Sequence, residues 1–197
     1  MTIADQPIGE FLDAVAAQQV TPSGGAVAAV GGAMGAALCE MTCIHTVSGD
    51  EPGAAPTELA AVRDTVADRR AQLLTLADED VIAVDAVQAA FDSGDDARIQ
   101  ATLQRSTEVP LETAELCLDV LEHAVTVTAE GTSVAVPDAA VGALLAHAAL
   151  RASVSTVRAN LDTITDEAFV AEMEERSTVA ETASETALAE TLANLDC

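Results

Sequence analysis

The chain has 197 residues, enough to bury one sizeable core, and one domain over residues 1–197 is the expectation. Eight basic residues, all Arg, stand against thirty-three acidic ones for a net charge of −25. That field excludes nucleic acid and anionic lipid as partners, which require clustered Lys or Arg, and it predicts a fold suited to a salt-filled cytoplasm where cations screen the surface. Half of the residues are apolar, and they recur at helical spacing, so the chain is expected to fold and not to remain disordered.

Strand patterns are nearly absent and helix formers fill most positions, which predicts an all-α bundle of about six helices. The first helix is expected near Pro7 to Gln18. Met1 leads into Asp5, Glu10 and Asp13 with no basic leader and no apolar core, so no secretory signal is expected and the predicted location is cytoplasmic. The charge-free run from Ala14 to Cys39 is interrupted by Gln18, Gln19 and Pro22, and is expected to be too weakly apolar to span a membrane.

A turn at Val20-Thr21-Pro22-Ser23 opens the second helix, expected to reach about Ser48 and to close at Gly49-Asp50-Glu51-Pro52-Gly53. Gly24, Ala28 and Gly32, with Gly31 and Gly35 beside them, form a flat face that admits a neighbouring helix or a second copy of the chain. At its start, Ser23, Gly24 and Gly25 leave backbone N–H groups and the positive end of the helix dipole open to an anionic or carbonyl-bearing ligand. The same residues also read as an N-cap with glycines for close packing. Cys39, Cys43 and His45 lack a fourth metal ligand, so no metal site is expected; these cysteines, with Cys117 and Cys197, read as reduced small hydrophobes.

The third helix is expected from about Thr57 to Phe91, with Leu59, Val62, Val66, Leu73, Leu76, Val84, Val87 and Phe91 along one apolar stripe. Asp80 falls on that stripe, while Asp78, Glu79 and Asp85 point more toward solvent. Burial would raise the Asp80 pKa and suit it to acid–base work near neutral pH; alternatively, Arg69 or an Arg of another helix neutralises it. The chain holds no Lys or Tyr, which leaves carboxylates, His45, His123, His147 or a Cys to move protons, and His123 and His147 read as surface or core-edge residues.

The fourth helix is expected over Asp96 to Glu130 with a bend at Pro110, followed by a loop over Gly131 to Pro137. The fifth runs from Asp138 to about Thr163, and the sixth from Asp166 to Leu195. Asp138 is placed to cap the fifth helix or to meet a ligand at its mouth. Asn160, a poor helix former between Val157 and Leu161, is a candidate for a buried hydrogen bond or a solvated surface residue.

Taken in order, Phe11-Leu12-Asp13-Ala14, Thr21 through Ala29, Asp80, Thr107-Glu108-Val109-Pro110-Leu111, Asp138 through Leu145 and Asn160-Leu161 resemble the cyclodeaminase/cyclohydrolase family of folate enzymes. The resemblance spans about Ile8 to Phe169 and implies an all-helical homodimer with a folate-binding cleft formed by these motifs. It implies hydrolysis of 5,10-methenyltetrahydrofolate to 10-formyltetrahydrofolate, or the formimidoyltetrahydrofolate cyclodeaminase reaction, with no metal or redox cofactor. Asp80 would move the proton and Asp138 would orient substrate or share the transfer, while Ser23, Gly24, Gly25 and Asn160 would bind the pterin or the glutamate tail. The family usually has a third Gly at Ser23, Ser at Ala26, an aromatic at Val84, Ser at Pro137 and Asn at Thr156. Its Gly-Lys-x-x-Tyr stretch is replaced by Gly49-Asp50-Glu51-Pro52. A non-catalytic helical dimer that binds folate or a protein partner is the competing expectation.

Overall fold

The structure, a computed structural model, describes residues 2–48 and 56–196. Helix α1 spans Ile8–Val15, α2 Gly24–Val47, α3 Pro56–Ser93, α4 Asp96–Glu130, α5 Val136–Leu161 and α6 Glu167–Ala193. Short 3-10 turns at Ile3–Asp5 and Asn194–Asp196 flank them, and the described residues contain no strand. The expected loop over Gly49 to Gly53, and Cys197, lie outside the described residues.

Helix boundaries follow local chemistry. Gly94 adopts a positive φ of 67° after α3, a conformation that costs a side-chain-bearing residue more, and Asp95 then caps α4 by accepting from the N–H groups of Ala97 and Arg98. Asp166 caps α6 in the same way, through Ala168 and Phe169. The start of α5 departs from expectation: it begins at Val136 after Ala135, and no side chain caps it, so Asp138 sits within the first turn and is not its cap. Helix α4 runs unbroken through the buried Pro110.

Helix α2 packs against α3 on one side and α5 on the other and also meets α4, while α4 joins α3, α5 and α6. The small residues of α2 are what allow three neighbours. A Cβ at Gly32 would lie 2.5 Å from the Cys117 sulfur, and one at Gly35 would lie 2.5 Å from the Gly142 carbonyl oxygen of α5. Gly24 and Gly31 do not share this role: nothing approaches within 4 Å of a Cβ at Gly24, and only Ala149 at 4.0 Å meets one at Gly31. The stripe therefore serves packing within the bundle at Gly32 and Gly35. Leu59, Leu73, Leu121 and Leu150 fill the main core, with the free thiols of Cys39, Cys43 and Cys117 buried among them.

Contrary to the reading of the Ala14–Cys39 run, α2 is long and apolar enough to cross a membrane by composition, as is α5. In the fold these two helices pack against each other, and half of each apolar window is buried inside the bundle.

Candidate active site

On α3, Asp80 lies between Leu76 and Ala83, which form a small apolar cluster with Val109 of α4. Asp80 is only 4% exposed, as its place on the apolar stripe predicts. Its Oδ2 accepts a 2.7 Å hydrogen bond from the Ser23 hydroxyl and a 2.9 Å bond from the Ala26 backbone N–H. Ala26 is in the first turn of α2, and Ser23 makes no side-chain cap to its own helix. The N-terminus of α2 is thus capped across the interface by a carboxylate from α3, and the Ser23 hydroxyl is committed to that carboxylate.

Gly25 makes this approach possible. A Cβ there would lie 2.6 Å from the Asp80 carboxyl carbon and closer still to Oδ1. No cation pairs with Asp80 among the described residues, and Arg69 is engaged by Asp119 of α4. Burial pushes the Asp80 carboxyl above its usual range, against the opposing pull of the Ser23 and Ala26 hydrogen bonds. The arrangement can hold a proton on an oriented carboxyl oxygen and release it to a group at the open end of α2, where Gly24 is exposed.

Two neighbouring acids on α3 hold the chain around this point. The Asp78 carboxylate accepts from the Ile3 N–H at 2.8 Å, and Asp85 accepts from the Thr21 hydroxyl at 3.2 Å. A cavity of about 430 Å³ opens between these anchors, lined by Ile3, Gln6, Thr21, Pro22, Asp78 and Val81 among others. Asp78 and Asp85 are more exposed than Asp80, as the apolar stripe predicts, but their contacts with Ile3 and Thr21 do not follow from periodicity. Their signal was the clustering of three Asp within one stretch of α3, each able to reach a segment that precedes α2.

Asn160 is half-buried, and its Nδ2 donates to the Ser106 carbonyl of α4 at 2.9 Å. Its end of the bundle is that of Asp80: α2 and α5 pack with Gly31 beside Ala149 and Gly35 beside Gly142, so the start of α2 and the end of α5 lie together. Asp138 is elsewhere. It is exposed and adjoins Ala139, whose carbonyl faces the Cys39 thiol at 4.0 Å. Cys39 and Ala26 are thirteen residues apart on α2, about 20 Å along its axis. Within one chain, Ser23, Gly24, Gly25, Asp80 and Asn160 gather at one end and Asp138 stands at the other.

Other titratable groups take the roles expected of edge residues. His45 is exposed, His123 lies 3.6 Å from Asp119, and burial lowers the pKa of His147. Burial raises the Cys39 thiol to about 12 and the Cys43 thiol to about 11, so both are held as thiols. No group of three or more His, Cys, Asp or Glu placed to hold a metal occurs among the described residues.

A family model described as formiminotransferase-cyclodeaminase matches residues 7–179. A methenyltetrahydrofolate cyclohydrolase of Methylorubrum extorquens is 33% identical over 177 residues, which cover 85% of each chain. A formiminotetrahydrofolate cyclodeaminase from Thermotoga maritima matches in structure with a TM-score of 0.93 and 28% identity, over 98% of each chain.

Proposed function

Because this chain belongs to the formiminotransferase-cyclodeaminase family, we propose that it works on the one-carbon bridge of a tetrahydrofolate, hydrolysing 5,10-methenyltetrahydrofolate to 10-formyltetrahydrofolate. It is an enzyme of folate one-carbon metabolism. The observation that carries the choice of reaction is the buried Asp80 carboxyl, oriented by Ser23 and Ala26, in a chain whose similarity to a cyclohydrolase covers 85% of its length.

In this reading water adds to the bridging amidinium carbon, a C–O bond forms, and the bond from that carbon to N5 breaks. One proton is released overall. Asp80 accepts a proton from the attacking water and returns one to N5, a role that suits a carboxyl with a raised pKa. The mouth of α2, open at Gly24 beside the Ser23 and Gly25 that hold Asp80, receives polar groups of the ligand, and no metal or redox cofactor is called upon. The cyclodeaminase reaction is the second reading, favoured by the fold match over 98% of a solved cyclodeaminase. It uses the same proton transfer at the same carbon, with ammonia leaving as the ring closes.

The functional unit in this proposal is a cytoplasmic homodimer adapted to concentrated salt. Two molecules of charge −25 meet closely only over a face with little charge. Helices α1, α2 and α5 expose Ile8, Leu12, Val27, Met34, Val141 and Leu144. An isologous pairing with α2 antiparallel to its copy brings Asp138 of one protomer toward the Asp80 end of the other, where it orients substrate.

Loss of methenyltetrahydrofolate absorbance, followed in molar KCl, tests the proposal. Asp80→Ala and Asp80→Asn should each lower turnover at least about 100-fold. Rates equal to wild type would remove Asp80 from the chemistry. Folate binding without turnover by the wild type would favour a non-catalytic binding dimer instead.

A further inference from the structure

Resting on the folate reading above, we infer that the Asn160 carboxamide reads the N–H donors of the pterin ring and does not hold the anionic glutamate tail. The reason begins in a different helix. Pro110 has no N–H, so the carbonyl of Ser106, four residues earlier in α4, lacks its usual helical donor. Asn160 supplies one, through Nδ2 at 2.9 Å. A carbonyl oxygen only accepts, so this contact fixes which way the amide faces.

With the NH₂ group committed to Ser106, the group left to a ligand is Oδ1, which accepts from no donor among the described residues. An oxygen with two free lone pairs attracts N–H groups and repels carboxylates. The aminopyrimidinone edge of a pterin offers an adjacent ring N–H and amino group, whereas the glutamate end of a folate is anionic. Position agrees with chemistry. Val109, one turn along α4 from Ser106, packs with Leu76 and Ala83 around the α3 turn that carries Asp80. Asn160 therefore docks on α4 one turn from the point where α4 meets the Asp80 turn of α3.

The test is calorimetry in molar KCl with three probes: a tetrahydropterin lacking the aminobenzoylglutamate tail, its analogue lacking the 2-amino group, and p-aminobenzoylglutamate. Asn160→Ala should weaken the tail-free pterin roughly tenfold and leave p-aminobenzoylglutamate unchanged. It should also abolish the preference that the wild type shows for the pterin over its 2-desamino analogue. Because the variant strips the Ser106 carbonyl of its donor, Pro110→Ala is added to return a helical N–H. The double variant should recover thermal stability without recovering pterin affinity. A 2-amino preference that survives in Asn160→Ala, or a selective loss of p-aminobenzoylglutamate binding, overturns this inference alone. A wild type that binds none of the probes overturns both this inference and the folate reading.

Discussion

At Asp80, burial and hydrogen bonding pull in opposite directions, and burial prevails, so the folded chain holds this proton more tightly than the unfolded chain does. The stabilising contribution is full below the ordinary value of 3.8 and is lost as pH rises through the raised folded-state value. Asp80→Asn keeps an acceptor for Ser23 and Ala26 and cannot ionise. Its thermal midpoint relative to wild type should therefore climb with pH across that window and then level off. A difference independent of pH would show that the carboxyl is not shifted by burial. Gly25 belongs to the same scale, because a methyl group there occupies the space of the Asp80 carboxyl. Gly25→Ala should lower methenyltetrahydrofolate turnover at least about tenfold and cost about 1–3 kcal/mol in denaturant unfolding. Gly9→Ala on α1, where a Cβ meets nothing within 4 Å, should do neither.

Between elements, α2 and α5 cross closely at Gly35 and Gly142. A Cβ at Gly142 would lie 2.6 Å from the Gly35 carbonyl oxygen and 3.0 Å from the Leu38 Cβ, so the two backbones are nearly in contact. Gly142→Ala should push the helices apart and cost about 1–3 kcal/mol by urea denaturation in molar salt. Gly31→Ala, with its nearest contact at 4.0 Å, should be neutral or stabilising because Ala is the better helix former. Equal effects at the two sites would refute this account of the crossing. Periodicity and punctuation make all six helices legible to within a few residues, and α4 to both ends. The start of α5 lies two residues earlier than expected, because Pro137-Asp138 resembles a cap and first turn while the helix begins one residue before the proline.

For the molecule as a whole, most of the few cations join helices. Arg69 and Arg70 on α3 reach Asp119 on α4 and Glu40 on α2, Arg105 on α4 reaches Glu79 on α3, and Arg158 and Arg176 tie α6 to α5 and α4. Such half-exposed pairs contribute little individually, and they leave a large excess of like charge on the surface. The thermal midpoint should therefore rise steeply between about 0.1 M and 1 M KCl, as the screening length falls from about 10 Å to about 3 Å. A midpoint insensitive to salt would refute the view that screening sustains this fold.

The amino-acid sequence by itself determined the helical class, the inward direction of Asp80 and the acidic surface, because each follows from local periodicity or from simple composition. It also marked the open start of α2, and it left Asn160 between a buried hydrogen bond and the solvated surface. Only the tertiary structure decided what these residues meet: that Asp80 caps another helix against Gly25, that Asn160 answers the carbonyl freed by Pro110, and that Asp138 lies at the far end of the bundle. Periodicity gives the direction in which a side chain leaves its own helix, whereas the distance between helices and their relative register are set by packing many residues at once.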